Sequence, residues 1–297
     1  MKRLLLFLPG LLCIIVSNAQ IKSTVIDSET KQPVPLVNIW VVGEDKGTTA
    51  DEQGNFSLPE TDDSKTLLFS AVGYGDISVK IADLKSTIVM SPKAIELDEV
   101  VIAQKKNSIF RTINPLEDED ETYFASSCTV TPRMIARLIP NRKEYALTPF
   151  IRDVTFITVS RSPNTKFNLR LYTVADDGSP GELLLDKNLI CTVRKNKRIT
   201  TVDLSSYNIK MPGKGFFIAI EWLIIDSNRF DLVSGKHGKA LDRKDKRYTI
   251  YYDPPFKCAY TDRLSSQWLY EKGAWTNKHN MHGKKYYNFF AEVTLSD

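Results

Sequence analysis

Residues 47–58, GTTADEQGNFSL, decide how the first part of this chain is interpreted. Counted from Thr49, the stretch nearly fits a calcium-binding loop, with Asp51 at the third position, Gly54 at the sixth and Glu60 at the twelfth. Calcium loops of the helix–loop–helix kind carry a carboxylate at the first position, where this chain has a threonine. They also lie between helices, whereas the neighbouring residues here alternate between apolar and polar, which is typical of strands. The stretch therefore predicts a turn and no metal site.

A turn accounts for most residues of the stretch. Residues 51–54 reverse the chain, and Gly54 can adopt a positive φ angle without a steric penalty. Phe56 and Leu58 belong to the next strand and point together into a hydrophobic core, because side chains two residues apart share one face of a strand.

Alternation continues on both sides of this turn, and turn residues interrupt it about every eight to twelve residues, which is the pattern of an antiparallel sandwich. The predicted strands are IKSTVID (21–27), LVNIWVV (36–42), KTLLFSAVGY (65–74), DISVKIADL (76–84), STIVM (86–90) and LDEVVI (97–102). No amphipathic helix is evident, so we predict an all-β fold.

The combination of TVIDSETKQPVPLVNIWVVGEDKGTTADEQGNFSLPE, LLFSAVGYGDISVKI and IELDEVVI resembles the carboxypeptidase-regulatory-like domain. The resemblance covers residues 20–102 and implies a seven-stranded immunoglobulin- or transthyretin-like sandwich, without catalytic function, in an exported envelope protein. Such a domain often precedes the plug of TonB-dependent outer-membrane receptors, and LDEVVI resembles the segment that joins the two. No plug sequence follows here, so the resemblance implies the module and its compartment rather than transport.

The N-terminus has the parts of a secretory signal peptide, residues 1–19. Lys2 and Arg3 precede an apolar run, and Ser17 and Ala19 are the small residues of a cleavage site before Gln20. The run is shorter than the roughly 20 apolar residues of a transmembrane helix, although an uncleaved anchor is the alternative. We expect an exported mature chain without a transmembrane segment, located in the periplasm or associated with the outer membrane or cell surface.

A charged segment, residues 103–125, contains a basic pair, a proline and five consecutive acids, which predicts an acidic linker. Strand-like runs resume in residues 126–297, where GFFIAIEWL (215–223) is apolar on both faces like a central strand. About eight strands of this kind indicate a jelly-roll-like β-sandwich. FNLRLYTVADDGSPGELLLDKNLICTV and VDLSSYNIKMPGKGFFIAIEW are similar to exported jelly-roll modules of envelope proteins, some of which bind carbohydrate.

Charge is unevenly distributed beneath a formal net charge of +4. Residues 20–105 carry 8 basic and 14 acidic side chains, whereas residues 131–297 carry 28 basic and 17 acidic ones. A basic exported domain suits an anionic glycan, lipopolysaccharide or an acidic protein partner, and a solvated basic surface is the alternative. Nucleic acid is not expected as a partner, because the chain has no recognisable reading module.

The sequence contains no motif typical of a metal site, a cofactor site or nucleophilic catalysis. His279 and His282 are three residues apart, but their polar, glycine-containing context indicates an exposed loop, and no acid or cysteine lies at a spacing typical of zinc ligands. A Gly-x-Ser-x-Gly elbow and a phosphate-binding loop are missing from the sequence, so we expect neither a cofactor nor an enzyme. Glu221, beside Trp222 on the predicted central strand, is the least ordinary carboxylate, and we interpret it as an edge-facing charge at a strand end.

Cysteine spacing excludes a disulfide-stapled fold. Cys128, Cys191 and Cys258 are far apart and odd in number. We expect three buried thiols, with one disulfide and a free thiol as the alternative.

The segment WLYEKGAW (268–275) is the most informative local feature of the second region. If its Lys-Gly pair forms a two-residue turn, Tyr270 lies directly across from Trp275, and Trp268 lies on the same face. Three exposed rings would form a platform on which a sugar stacks, whereas the alternative is that they pack into the core.

RYTIYYD (247–253) presents the same two alternatives for Tyr248 and Tyr252. Together with the hairpin aromatics, these tyrosines are the predicted ligand site.

Three functional hypotheses follow. The first is an exported, non-enzymatic envelope protein with a docking module and a C-terminal binding module, whose ligand is a glycan or an envelope protein. The second is an assembly or structural protein without a small ligand. The third is a hydrolase acting on polysaccharide or peptide, which as a glycosidase would need two carboxylates about 5–10 Å apart in a cleft.

The signal-peptide interpretation predicts the mature N-terminus. Expression in a Gram-negative host, followed by fractionation and N-terminal mass spectrometry, should yield a chain that begins at Gln20 in the envelope fraction, because the residues before it form a cleavage site. A mature chain in the cytoplasm would contradict this interpretation.

Overall fold

The structure, a computed structural model, describes residues 20–59, 61–93, 108–116, 122–124, 129, 131–158, 160–196, 199–233, 248–261, 266–277, 281–282 and 285–297. The predicted signal peptide lies outside these residues. The described chain is all-β, as predicted, and its helical parts are short 3-10 turns at Ile81–Asp83, Lys143–Tyr145, Ser205–Tyr207 and Asp226–Asn228. Within the described residues, none of the helices has the length and apolar character needed to cross a membrane.

The strands fall into two groups along the chain. The first group is β1 (Gln20–Asp27), β2 (Asn38–Val41), β3 (Gly47–Thr49), β4 (Asn55–Pro59), β5 (Thr66–Ser70), β6 (Ile77–Lys80) and β7 (Thr87–Met90). The second group is β8 (Phe110–Ile113), β9 (Thr122–Phe124), β10 (Arg133–Ile139), β11 (Phe150–Ile157), β12 (Thr165–Val174), β13 (Pro180–Leu183), β14 (Leu189–Val193), β15 (Ile199–Asp203), β16 (Phe216–Trp222), β17 (Arg229–Val233), β18 (Tyr248–Tyr252), β19 (Lys257–Thr261), β20 (Gln267–Glu271), β21 (Ala274–Thr276), β22 (Met281–His282), β23 (Lys285–Phe289) and β24 (Glu292–Ser296).

The first group forms a two-sheet sandwich, which we call the N-terminal domain. One sheet has the order β4-β1-β7 and the other β3-β2-β5-β6, which gives seven strands, the predicted number. The predicted strand LDEVVI (97–102) lies outside the described residues. Alternate residues of both sheets meet in a closed core that includes Val25, Ile39, Phe56, Leu58 and Phe69.

The stretch from residue 47 to residue 58 forms the predicted turn. Asp51 Oδ1 accepts hydrogen bonds from the backbone N–H groups of Gln53 (2.9 Å) and Asn55 (2.8 Å), which closes the reversal. Gly54 has φ +73°. Phe56 and Leu58 are both buried, so they share the core face as predicted. The carboxylate that resembled a calcium ligand therefore caps the turn.

The second group builds the C-terminal domain. Its main sheet has the order β13-β12-β16-β10-β20-β21, with β14 also paired to β12, and a second sheet has the order β15-β11-β24-β8. Between them lies a large hydrophobic core that includes Phe156, Phe167, Ile218, Trp222 and Phe256. Smaller sheets, β17-β18 and β22-β23-β19-β9, complete the domain.

Strand β16 is the central strand of the main sheet, as its sequence predicted. It pairs with β10 on one side and β12 on the other, and all of its residues are buried, because both faces of the sheet are covered at this strand. Phe216, Ile218, Ile220 and Trp222 face the core of the C-terminal domain. The residues between them point to the outer face of the main sheet.

Part of the predicted linker, residues 103–125, belongs to the C-terminal domain. Strand β8 pairs with β24, and β9 pairs with β19. The alternation in Phe110–Ile113 is too short to stand out beside the acidic residues that follow it, and those acids, residues 117–121, lie outside the described residues.

Two of the three cysteines that follow residue 19 lie within the described residues. Cys191 and Cys258 are both buried thiols, as expected. Burial raises the pKa of Cys191 to about 12. Cys128 lies outside the described residues.

The turn explanation predicts a specific effect of Gly54→Ala. A Cβ atom at this position would lie 2.5 Å from the Val25 carbonyl oxygen. We expect the free energy of unfolding to fall by about 2–3 kcal/mol, from backbone strain plus this overlap. Chemical denaturation would measure the change.

Gly43→Ala is the matched control. Gly43 also has a positive φ angle, +80°, but no atom lies within 4 Å of its Cβ position. It should lose only about 1 kcal/mol, the cost of the backbone conformation alone. Equal losses at both glycines would contradict the steric explanation.

Candidate functional site

The N-terminal domain packs against the outer face of the main sheet of the C-terminal domain. Asn38 and Trp40 lie on the face of β2 that points away from the N-terminal core, because they alternate with Ile39 and Val41. Trp40 is entirely buried at this interface and packs edge-on against Tyr270, with ring centroids 5.3 Å apart. Its indole N–H donates a 2.8 Å hydrogen bond to the Pro132 carbonyl oxygen.

A buried ion pair lies at the centre of the interface. Arg170 of β12 donates to Glu221 of β16 twice, from Nε to Oε2 (2.7 Å) and from Nη2 to Oε1 (2.8 Å). The two residues are neighbours on the outer face of the main sheet, since Glu221 pairs with Asn168 and Arg170 with Ala219. This parallel two-bond geometry is the strongest that a guanidinium and a carboxylate can adopt.

Interpreting Glu221 as an edge-facing charge was wrong. Its side chain is 0% exposed, and that of Arg170 is 4% exposed. The alternation of β16 places the carboxylate on the outer face, where the N-terminal domain covers it. Burial alone would lower the pKa of Arg170, but the negative charge of Glu221 and its hydrogen bonds raise it overall, so the guanidinium stays charged.

Side chains from both domains complete the hydrogen bonds of this carboxylate. Asn168 Nδ2 donates to Oε2 (2.9 Å), and Asn38 Nδ2 of the N-terminal domain donates to Oε1. Asn38 Oδ1 in turn accepts from the Thr49 hydroxyl (2.6 Å), whose oxygen accepts from the backbone N–H of Ile224 (2.8 Å). One polar network therefore runs from domain to domain and back.

The turn stretch itself takes part in docking. Gly47 lies so close to the C-terminal domain that a Cβ atom there would be 2.6 Å from Pro132 Cδ. At the edge of the contact, Lys166 Nζ pairs with Glu52 Oε1 at 2.6 Å and Lys272 Nζ with Asp45 Oδ2 at 3.4 Å. The acidic N-terminal domain and the basic C-terminal domain thus meet with complementary charge.

A cleft of about 660 Å³ opens beside this contact. The N-terminal domain contributes Lys22, Thr24, Asp51 and Asn55, whereas the C-terminal domain contributes residues 224–226 and Tyr252. Thr24 and Asn55 are already oriented toward each other by a 2.8 Å hydrogen bond. The cleft combines hydroxyl, amide and carboxylate groups with two aromatic residues, Phe56 and Tyr252, of which Phe56 is buried in the N-terminal core. It exists because the two domains are docked.

The predicted hairpin geometry is confirmed. Lys272 and Gly273 form the turn with positive φ angles, and Tyr270 lies directly across from Trp275. Tyr270 is only 9% exposed, because Trp40 and Trp275 pack on it. Burial, with a smaller contribution from Asp76 of the N-terminal domain, raises the pKa of Tyr270.

The two tryptophans of the hairpin are half-buried and pack beside Tyr172 and Phe217 on the outer face of the main sheet. The sequence left two alternatives for this face, burial in the sandwich core or exposure to solvent. The structure shows an intermediate arrangement, because the N-terminal domain covers part of the face. Sugar binding by Trp268, Tyr270 and Trp275 stays a prediction.

Tyr252 is half-buried and lines the interdomain cleft. Of the five aromatic residues predicted to bind a ligand, it is the one that lies beside the polar groups of the cleft. Tyr248 belongs to the same strand, β18, and pairs with Val233. His237 and His279 lie outside the described residues, and His282 pairs with Lys285 in a short hairpin. In the described part of the chain, no three His, Cys, Asp or Glu residues are grouped so that they could hold a metal ion.

Sequence reasoning missed Asn38, Trp40 and Arg170. The sequence did contain a signal for them. Each lies on the face of a strand opposite to the apolar face that packs into the core. A charged or aromatic residue at such a position indicates a second packing surface, but the sequence does not say which element covers it.

Comparison with known proteins agrees with the N-terminal assignment. Residues 21–102 match the family model of the CarboxypepD_reg-like domain. The resemblance inferred from the sequence is thereby confirmed for this part of the chain. The chain is also 28% identical, over 109 residues, to the TonB-dependent receptor P3 of Formosa agariphila. The matching segment is 35% of this chain and 11% of the receptor.

A solved structure of the cysteine protease and lectin-like domains of Cwp84, a surface-layer-associated protein of Clostridium difficile, is distantly similar. It has 9% sequence identity and a TM-score of 0.32, and the match covers 61% of this chain and 37% of that one. Similarity at this level does not bear on function.

The buried ion pair predicts a large effect of Glu221→Gln. The change leaves the Arg170 guanidinium buried without its counter-charge, so we expect a loss of about 3–5 kcal/mol in the free energy of unfolding. Chemical denaturation followed by tryptophan fluorescence would measure the loss.

Asp176→Asn is the matched control, because Asp176 also pairs with a basic residue, Lys214 at 2.8 Å, but both side chains are exposed. An exposed pair contributes less than about 1 kcal/mol. Similar losses for the two variants would show that the Glu221 pair is not buried in solution.

Proposed function

We propose that this chain is an exported, non-enzymatic envelope protein that binds a neutral or weakly charged glycan in the cleft between its two domains. The observation that carries the proposal is the cleft itself. It is large enough for a small oligosaccharide and is lined by Tyr252 together with hydroxyl, amide and carboxylate groups. Sites of this kind combine an apolar surface with a few placed polar groups.

The chemistry of the lining suits sugar hydroxyls. An aromatic ring stacks on the apolar face of a sugar, and Tyr252 supplies such a ring. The Asn55 amide can donate and accept hydrogen bonds, and the Asp226 carboxylate can accept them, so the two suit neighbouring sugar hydroxyls. Lys22 is offset by Asp51 and Asp226, so the lining charges do not favour a strongly anionic ligand.

An envelope location is supported by the N-terminal match to the CarboxypepD_reg-like domain and by the similarity to a TonB-dependent receptor. In the proposed arrangement the N-terminal domain forms one wall of the cleft, so both domains are needed for binding. A non-enzymatic role is favoured by Asp51, whose carboxylate already caps its own turn.

Glycan binding in the cleft predicts that Tyr252→Ala weakens affinity about tenfold or more, because the stacking surface is lost. Tyr252→Phe should retain most of the affinity, since it keeps the ring. A glycan array with the mature protein would identify a ligand, and calorimetric titration would measure each variant. Thermal denaturation would confirm that both variants fold.

Asp226→Asn should also weaken binding. Asp186→Asn should not, because Asp186 is an exposed carboxylate outside the cleft.

The absence of any glycan ligand on the array would contradict the proposal and favour the structural role. Loss of binding in Trp268→Ala but not in Tyr252→Ala would move the site to the hairpin. Shortening of a bound glycan by the wild-type protein would show an enzyme instead.

A second candidate function is a purely structural two-domain unit. The buried network between Asn38, Arg170 and Glu221 favours it, because that network stabilises docking whether or not a ligand binds. The glycan array separates this candidate from the first.

A further inference from the structure

A second concave region of the C-terminal domain is lined by four basic side chains and one acidic one. Two adjoining cavities, of about 210 and 400 Å³, share Arg142 and Tyr145. Arg111 lines the smaller cavity, whereas Lys143 and Lys210 line the larger one. We call this region, defined by Arg111, Arg142, Lys143, Tyr145 and Lys210, the basic groove. It shares no residue with the interdomain cleft.

The floor of the basic groove is held in place by buried and hydrogen-bonded groups. Tyr145 is buried and ends a 3-10 turn, and its N–H donates to the Arg142 carbonyl (3.0 Å). Asn141 Nδ2 donates to the Pro212 carbonyl (3.0 Å), which joins the loop before this turn to the loop after Lys210. Gly215 reinforces that contact, because a Cβ atom there would lie 2.2 Å from the Ile139 carbonyl oxygen.

The charges of the groove are available to a ligand. Among its described lining residues, Glu144 is the one carboxylate, and it lies 3.7 Å from Arg142 with both side chains more than half exposed. An exposed pair at that distance is weak, so an incoming anion can replace it. Arg111 is positioned over the Tyr145 ring, with its Cζ 6.0 Å from the ring centroid. By contrast, nearby Lys214 is already paired with Asp176.

From this arrangement we infer that the basic groove binds the sulfate, phosphate or carboxylate groups of an anionic polysaccharide. Arginine presents a planar set of donors that matches such oxyanions two bonds at a time, and lysine adds a compact charge. Two cavities that meet at Arg142 and Tyr145 suit a ligand with anionic groups at intervals along a chain. The inference does not depend on glycan binding in the interdomain cleft.

The probe is dextran sulfate, and uncharged dextran is its control. The wild-type protein should bind dextran sulfate and not dextran, and binding should weaken strongly when salt is raised from about 0.1 M to 1 M, where the Debye length falls from roughly 10 Å to 3 Å. The double variant Arg142→Gln/Lys210→Gln should bind about tenfold more weakly or worse, because two charge-assisted contacts are removed.

Lys187→Gln/Lys195→Gln is the matched control, since it makes the same change in net charge at exposed positions outside the groove. Its affinity should stay within about twofold of wild type. Equal weakening in both double variants would overturn the inference, because it would show a diffuse basic surface. Thermal denaturation would verify that all variants fold.

Two further measurements distinguish the alternatives. Leu147, which is 73% exposed and two residues beyond Tyr145, is a side chain that a membrane could take up. Binding to anionic phospholipid vesicles without binding to dextran sulfate would therefore overturn the polysaccharide assignment in favour of a lipid surface. Tyr252→Ala should bind dextran sulfate like wild type, and its failure to do so would place the anion in the cleft rather than in the groove.

Discussion

The structure depends on one constraint: a charged pair buried on the outer face of the main sheet of the C-terminal domain. Arg170 and Glu221 neutralise each other, but removing them from water is unfavourable unless their remaining hydrogen-bonding capacity is used. Asn168 from the same sheet and Asn38 from the N-terminal domain provide these bonds. The N-terminal domain thus replaces part of the hydration of this pair. Separating the domains would remove the Asn38 hydrogen bond and expose both charges to water.

The same docking determines what happens to the aromatic residues. Trp40 also lies in the interface, because it is two residues after Asn38 and alternate side chains of β2 point to the same face. It covers Tyr270 and leaves the two hairpin tryptophans half-buried. On the other side of the contact, Thr49 and residues 224–226 are brought together, and the cleft opens beside them. Interface and cleft are therefore two parts of one arrangement.

Local features were predictable wherever neighbouring residues in the sequence determine the structure. The turn after Asp51, the hairpin at Lys272 and Gly273, and the central position of β16 all follow from glycine conformation, side-chain alternation and apolar content. The failures share one cause. Glu221 was interpreted as an edge charge, and Trp40 was not recognised as an interface residue. Alternation assigns a side chain to a face of a strand but does not identify the partner of that face.

The sequence by itself determined the all-β fold and the role of GTTADEQGNFSL as a turn, because side-chain alternation and turn residues are local properties of the chain. It also indicated the seven-stranded N-terminal sandwich, through the resemblance to a known domain. Only the tertiary structure decided that the same stretch docks the C-terminal domain through Gly47, Thr49 and Glu52. Only it placed Tyr252 in a cleft with Asp226. The docking contacts join residues that are far apart in the chain, such as Thr49 and Ile224, which are separated by 175 positions. Their partners are selected by burial, shape and charge complementarity, which local patterns do not encode.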